Sequence, residues 1–443
     1  MRSDAIPTRA PLDHENSAFL GDEDIPFERY TSREFFALEM KCVWEKVWQW
    51  ACREEHVREA GDYVVYEIGR HSVIVVRTEA GAIKAYVNSC LHRGTKLKQS
   101  GADGSSPELR CPYHGWTWTL DGKLDTLRCR WDFPHVDPEK YQLPEVRVET
   151  WGGFVFVNLD PNARPLREQL GVLPEHFANF PLEERYVELH LQKELPCNWK
   201  AAQEAFIENY HTAETHPQLL RSVATLNTQY DVYGDHVARF YATVGVCSGE
   251  FGSELSEQEI LDDMLVGDRS LIKEKPTLAP GQTAREYMAN YLRKAIGDAY
   301  KTDLSKFTDS EVIDTIEYNL FPNMFLFPGL SLPMVYRFRP LGSDPDRALF
   351  ELLFLRPLPS GAAPPPPATP VRLTAEESYA KVPGFDAAFA YVYDQDTGNL
   401  RNQQLGFHTA RKLGATLANR QEVRVRQLHR TIDKYIAKHR SEA

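Results

Sequence analysis

Residues 90–118 read CLHRGTKLKQSGADGSSPELRCPYHGWTW, and no other stretch of the chain restricts its fold so tightly. Two half-motifs bound the segment, Cys90-Leu91-His92 and Cys111-Pro112-Tyr113-His114, each followed closely by a glycine, at 94 and 115. Eighteen residues separate His92 from Cys111, enough for a hairpin between two tight turns. Four nitrogen and sulfur ligands in two close pairs point to a metal centre, with zinc and iron–sulfur as the alternatives. Zinc modules usually separate their first pair by two to four residues and keep two histidines together. Here each half supplies one thiol and one imidazole. That suits a two-iron cluster with both thiolates on one iron and both imidazoles on the other. The glycines let the backbone wrap closely and point amides at sulfur.

The surrounding texture is β. From Gly61, DYVVYEIGRHSVIVVRTEAGAIKAYVN separates β-branched runs by glycine and polar turns, a meander of strands. The pattern continues through VRVETWGGFVFVNLDP to the boundary signal Asp160-Pro161. An all-β domain is therefore expected at 46–160. Before it, in residues 1–45 and just beyond, Phe35, Leu38, Val43, Val47 and Trp50 recur at helical spacing, with Thr31 or Ser32 as N-cap. The remainder, 161–443, mixes strands and helices. ELHLQKEL leads into a helix at WKAAQEAFIENYHTAET, and further strands follow at DVYGDHVARFYATVGV, MVYRFRPL and ALFELLFLRPL. An acidic, largely helical insert is expected at about 253–317, an exposed proline-rich loop at 356–370, and helices at the end.

Composition narrows the function classes. A chain of 443 residues has room for two or three domains, and 42% hydrophobic with 26% charged residues is ordinary for a globular protein. A net charge of −12 argues against a nucleic-acid partner. The most apolar stretch, from Met324, is too short for a bilayer and is broken by Pro328 and Pro333. The N-terminus lacks the apolar core of a signal peptide, so a cytoplasmic protein without a membrane partner is expected. Seven cysteines, at spacings unlike a disulfide scaffold, read as ligands or buried apolar residues.

A second cluster lies in CNWKAAQEAFIENYHTAETHPQLL. His211 and His216 flank four residues, and Glu208 stands one turn before His211. On an ideal helix an i, i+5 pair diverges by about 140°. Pro217 biases His216 out of the helical region, so the helix should loosen at its C-terminal end and let the second imidazole swing back. Alone, this pattern is a weak signal.

Taken together, the C-x-H…C-x-x-H loop and this histidine pair resemble the α subunit of Rieske non-haem iron oxygenases. That family comprises ring-hydroxylating dioxygenases and their demethylating relatives. The resemblance runs over nearly the full length and includes Asn198-Trp199-Lys200. It implies an α+β chain, an all-β Rieske [2Fe–2S] domain followed by a helix-grip (START/SRPBCC-like) antiparallel-sheet catalytic domain, with the N-terminal segment packed on the latter. It implies Cys90, His92, Cys111 and His114 as cluster ligands, and His211, His216 and an aspartate of the C-terminal helix as ligands of a mononuclear Fe(2+). VYDQDTGNLRNQQLG offers Asp394 and Asp396, and the family pattern of an acid shortly before Q-x-G fits Asp396 better. Most members have aspartate where this chain has Glu208, between a ligand histidine and a Rieske histidine of the neighbouring subunit. Glu208 is thus expected to be the catalytic bridge for electron transfer. Glutamate there is familiar among oxygenases of quaternary-ammonium compounds. Glu204, Ala205 and Thr212 are expected to face the substrate pocket. Thr95, Tyr113 and Trp116 replace the cysteines and serine of high-potential relatives, so the cluster potential should fall toward the lower end of the roughly −150 to +300 mV Rieske range.

The implied activity is that of a terminal oxygenase. NAD(P)H electrons would arrive through a partner reductase, with or without a ferredoxin, and O₂ would hydroxylate a small organic substrate, an aromatic in the first reading. The alternative is a monooxygenase or demethylase acting on an amine, quaternary ammonium or methoxy compound. A reading from another class is a Rieske electron carrier fused to a lipid-binding module. The family also implies a head-to-tail homotrimer, with or without a small β subunit.

Overall fold

The alternation that follows Gly61 builds the first sheet. In the computed structural model, which describes residues 15–265, 276–328, 330–359 and 361–442, ten strands follow one another between residues 49 and 158. They are β1 (Gln49–Arg53), β2 (Asp62–Ile68), β3 (His71–Arg77), β4 (Ile83–Val87), β5 (Asp103–Ser105), β6 (Leu109–Arg110), β7 (Thr117–Trp118), β8 (Leu124–Thr126), β9 (Glu145–Trp151) and β10 (Phe154–Asn158). Seven form an antiparallel sheet in the order β1-β10-β9-β4-β3-β2-β5, and β6-β7-β8 form a small one. Ile74, Val76, Tyr86, Leu109 and Trp118 make the core beneath both. The small sheet matters most, because Cys111 follows β6 and His114 precedes β7.

The chain divides into two compact units, and the division departs from the expected boundaries at 46 and 161. Residues 37–169 with 341–343 form the first unit, and the rest form the second. The first boundary falls inside helix α1 (Arg33–Glu39), which Ser32 caps by accepting the Phe35 N–H at 3.1 Å. Residues 37–45 belong with the first unit, and Val43 and Trp44 among them are fully buried. Gln169 joins the same unit by bonding both the N–H and the C=O of Trp48, each at 2.9 Å. Residues 15–36 belong with the second unit, where Tyr30 stacks on Phe407 with ring centroids 4.5 Å apart.

The second unit is built on an eight-stranded sheet of β11 (Arg185–Leu195), β12 (Gln229–Tyr233), β13 (Val237–Ala242), β14 (Thr315–Leu320), β15 (Met324–Leu326), β16 (Met334–Pro340), β17 (Ala348–Pro357) and β18 (Val371–Leu373). Its order is β12-β13-β14-β15-β16-β17-β11-β18, antiparallel except for the β11–β18 pair. Two short helices, α2 (Trp199–Glu204) and α3 (Thr212–Thr215), follow β11. The insert contributes α4 (Glu257–Met264), α5 (Ala284–Tyr300) and α6 (Asp309–Ile313), with Ile260, Leu261, Ala284 and Met288 packed together; its residues 266–275 lie outside the described ones. From 358 to 370 the described residues form neither helix nor strand.

Two long helices close the chain, α7 (Ala387–Thr409) and α8 (Val423–Glu442). On α7 the buried residues Phe389, Tyr393, Asp396, Leu400 and Gln404 recur every three or four positions. One stripe of the helix therefore faces the sheet, where the Tyr393 ring meets Phe206, Tyr336 and Phe350 at 5.6–6.4 Å. This is the helix-grip arrangement, and it buries Asp396 between Tyr393 and Leu400. Among the described residues no helix is long and apolar enough to cross a membrane.

Candidate metal centres

The two halves of the Cys/His loop fold alike. The Cys90 N–H donates to the Thr95 carbonyl at 2.8 Å, and the Gly94 N–H donates back to the Cys90 carbonyl at 2.9 Å. In the second half the Cys111 N–H reaches the Trp116 carbonyl at 2.8 Å, and the Gly115 N–H returns to Cys111 at 3.1 Å. Each knuckle needs a left-handed residue, and Gly94 (φ 78°) and Gly115 (φ 73°) supply it. The outcome pairs like with like. The thiols of Cys90 and Cys111 are buried and interact, while the rings of His92 and His114 lie 4.7 Å apart. Burial, and then the proximity of Cys111, pushes the Cys90 thiol up. Burial, then His114 and Arg93, pushes His92 down, leaving a neutral ring suited to ligation. Trp116 stacks on His92 at 5.1 Å with the planes 5° apart. His92 Nδ1 is buried without a hydrogen-bond partner among the described residues. An orphaned imidazole nitrogen beside two facing thiols fits a histidine-ligated iron–sulfur cluster.

His211, His216 and Asp396 place one ligating atom each within 4.8 Å of the others. Asp396 Oδ1 lies 2.6 Å from His216 Nε2 and 3.3 Å from His211 Nε2. Atoms about 2.1 Å from one metal and at right angles to each other sit about 3 Å apart, so the spacing fits a single ion. The helical expectation needs correcting here. The helix does not run through Glu208 and loosen at its C-terminal end, because it stops at Glu204. Residues 205–211 are irregular, and His211 and His216 then cap the two ends of the one-turn helix α3. His216 leaves the helical region (φ −127°, ψ 53°), as Pro217 demands.

Outer partners fix which nitrogens converge. Glu208 Oε1 lies 2.6 Å from His211 Nδ1, and Gln395 Oε1 lies 2.9 Å from His216 Nδ1. With both Nδ1 atoms engaged as donors, both Nε2 atoms are free to ligate. Burial disfavours a charged His211, but the carboxylates of Asp396 and Glu208 outweigh it and push the ring up to about 10. The same negative field that holds a proton there would hold a dication. Asp394 is engaged elsewhere: its oxygens accept from the Ser378 hydroxyl at 2.5 Å and the Tyr379 N–H at 3.1 Å.

A cavity of about 290 Å³ opens beside the triad, lined by Glu204, Ala205, Glu208, His211 and Asp396 together with Tyr30, Phe407 and Glu422. Glu204 accepts from the Tyr30 hydroxyl at 3.0 Å and lies 2.9 Å from His429 Nε2. Thr212 does not line this cavity; its hydroxyl donates to Asn209 Oδ1 at 2.8 Å. Sequence reasoning missed Gln395, Glu422 and His429. Gln395 had a signal, since it sits beside the expected aspartate, whereas the other two come into place only through the packing of α8.

Residues 47–136 match the family model described as Rieske [2Fe-2S] domain, and residues 181–438 match that described as Ring hydroxylating alpha subunit (catalytic domain). Fold and sites thus define a two-centre iron protein, and the chain belongs to the ring-hydroxylating oxygenase α-subunit family, a Rieske [2Fe–2S] domain joined to a non-haem-iron catalytic domain. Among curated proteins it is 32% identical over 218 residues to the carnitine monooxygenase oxygenase subunit of Escherichia coli K12, covering 49% of this chain and 58% of that one. It is 33% identical over 225 residues to the glycine betaine monooxygenase oxygenase subunit of Chromohalobacter salexigens, covering 49% and 50%. The anthranilate 1,2-dioxygenase large subunit of Acinetobacter baylyi is 26% identical over 317 residues, covering 69% and 63%. The chain spans about half the length of the curated relatives it matches. A solved quaternary ammonium Rieske monooxygenase superposes with a TM-score of 0.66 at 17% identity, covering 97% of this chain and 100% of that one. Naphthalene 1,2-dioxygenase with indole bound gives 0.63 at 18%, covering 95% and 93%. At such identities the likeness is one of fold.

Proposed function

We propose that this chain is the terminal oxygenase of a multicomponent system, hydroxylating a small organic substrate with O₂. The observation that carries the reading is the convergence of His211, His216 and Asp396, of which His211 and Asp396 line the cavity, in a chain that also folds the two Cys/His knuckles. When bound, the cluster supplies electrons one at a time and the mononuclear iron supplies O₂ activation. The residues do the rest. Cys90, His92, Cys111 and His114 hold the cluster. His211, His216 and Asp396 would hold the mononuclear iron, a donor set of two imidazoles and one carboxylate that suits chemistry with O₂. Glu208 orients His211 and is the bridge toward His114 of the partner subunit. Monooxygenation consumes one O₂, two electrons and two protons and yields alcohol and water, so a reductase must deliver NAD(P)H electrons, directly or through a ferredoxin.

A head-to-tail homotrimer agrees with the charges. Arg93 lies over the exposed ring of Tyr113 and Arg110 and Arg128 stand beside Gly115, next to His114, whereas Glu204, Glu208 and Glu422 line the cavity. Opposite signs on the two surfaces favour docking of one copy on the next. A small β subunit is left to the mass of the purified assembly, and a cytoplasmic location accords with seven free cysteines.

The stacked rings of Tyr30 and Phe407 in the cavity lining offer a face to a planar ring. A second reading, oxidation of a quaternary ammonium compound, is favoured by Glu208 and by the carnitine and glycine betaine relatives, because the same rings attract a cation by its charge. The rival carrier fused to a lipid-binding module has no use for the triad. The test is the chain with a reductase, NADH and isotopically labelled O₂, offered aromatic acids and trimethylammonium acids in parallel. Labelled oxygen in one organic product, with about three irons per chain, supports the reading. Two irons per chain and no label in any product would sink it.

A further inference from the structure

Residues 205–211 carry Glu208, yet they belong to no helix or strand. Backbone groups shielded from water need partners. Some here are local, the Phe206 and Ile207 N–H groups on the Gln203 and Glu204 carbonyls and the His211 N–H on Glu208 Oε2, and others come from side chains remote in sequence. The Asn209 N–H donates to Tyr230 Oη at 3.0 Å, and the Asn209 amide donates to Thr228 Oγ1 at 2.9 Å. The Ile207 carbonyl accepts from Arg424 Nη1 at 3.2 Å.

Arg424 stands on the first turn of α8, and its side chain is completely buried. Its Nη2 donates to Glu317 Oε1 at 3.0 Å. Glu317, on β14, is buried as deeply, and its other oxygen accepts from the Tyr336 hydroxyl at 2.7 Å. A buried guanidinium left without its carboxylate is strongly destabilising, and a pair bonded in a low dielectric resists displacement; both Arg424 Nη atoms are bonded, while its Nε has no partner among the described residues. A continuous series of hydrogen bonds therefore runs from Tyr336 through Glu317 and Arg424 to Ile207. The next residue is Glu208, whose carboxylate bonds His211 Nδ1.

We infer that Arg424, braced by Glu317, and Tyr230 are positioning residues, holding the 207–209 backbone so that Glu208 fixes the ring of His211. They act on the metal centre only through Glu208. The inference rests on the reading of His211 as an iron ligand. A purely structural role for the buried ion pair would tie α8 to the sheet and leave iron binding untouched, so the two are separable.

The test uses the full chain and Fe(II) alone as probe, comparing wild type with Arg424→Lys, Tyr230→Phe, Glu208→Gln and the double variant Arg424→Lys/Glu208→Gln. Lysine keeps a cation for Glu317 but cannot fork to both acceptors. Arg424→Lys and Tyr230→Phe should each weaken Fe(II) binding about 10- to 100-fold, the range for losing an outer partner of a metal ligand. Amide hydrogens across 205–211 should exchange faster while those of β14 do not. The double variant should bind no more weakly than Glu208→Gln, because both changes remove the same interaction. Unchanged Fe(II) affinity in both single variants with a lowered Tm, or additive losses in the double variant, would overturn the inference. Should Arg424→Lys fail to fold, Tyr230→Phe alone decides. A wild-type chain that binds no Fe(II) would instead defeat the oxygenase reading, and exchange across 205–211 would still report whether Arg424 and Tyr230 hold the segment.

Discussion

Gln395 accepts from His216 through the ring nitrogen opposite the one that meets Asp396. The Oε1···Nδ1 distance is 2.9 Å, and the next residue in the chain places its Oδ1 2.6 Å from Nε2 of the same imidazole. Two consecutive residues of α7 thus grip one histidine from both sides. Gln218 donates to the same Gln395 oxygen at 2.8 Å and fixes the amide's orientation. Replacing Gln395 by Leu should weaken iron retention about 10- to 100-fold, with the visible spectrum of the cluster unaltered. Iron analysis after gel filtration measures this, and full retention would mean the ring is oriented by other contacts.

Asp394 and Asp396 make a clean contrast. Asp396→Ala should lose the mononuclear iron and all turnover. Asp394→Ala should keep both and lose about 1–2 kcal/mol of stability, the cost of two hydrogen bonds to the turn at Ser378–Tyr379. Denaturant melts and iron counts on the two variants decide between the assignments, and iron lost from Asp394→Ala with none lost from Asp396→Ala would reverse them.

The knuckle glycines make a prediction about the other centre. An alanine at 94 or 115 would be held at φ 78° or 73°, a left-handed strain of about 1–2 kcal/mol. Gly115→Ala should do more damage, because its Cβ would stand 3.3 Å from Arg128 Cδ, whereas at 94 the nearest atom is Ser89 Oγ at 3.9 Å. Cluster absorbance per chain should fall in the order wild type, Gly94→Ala, Gly115→Ala. The reverse order would show that the space around Gly115 is not what limits the loop.

Glu422 makes a prediction about pH. Burial first, and then the charges of Glu208 and Glu204, push its carboxyl up to about 7, against an opposing hydrogen bond from the Ala418 N–H. Between the ordinary value of 4.5 and about 7 the folded chain holds a proton that the unfolded chain has released. The contribution of this group to stability therefore falls as pH rises through that window. Glu422→Gln should remove the slope, so its stability relative to wild type should rise from about pH 5 to about pH 8 in urea unfolding. Parallel curves would mean that Glu422 titrates normally.

The sequence determined by itself what local chemistry can fix. C-x-H and C-x-x-H, each with a glycine at the turn, specify two knuckles and a cluster whatever surrounds them, and the alternation after Gly61 specifies the sheet that holds them. The H-x₄-H pattern marked the second centre only weakly, because one-dimensional spacing says nothing about an aspartate 180 residues away. Resemblance, not periodicity, brought Asp396 forward. The tertiary structure decided the rest. α7 turns Asp396 inward and leaves Asp394 to the Ser378 turn, since residues two apart on a helix point about 160° away from each other. The break at 205–211 could not be read from a sequence of good helix formers, AAQEAFIEN. Its backbone is stabilised by Tyr230 and Arg424, and long-range hydrogen bonds of that kind exist only once the sheet and α8 are packed. The domain boundary moved for the same reason, because Gln169 and Trp48 meet across 121 residues of chain.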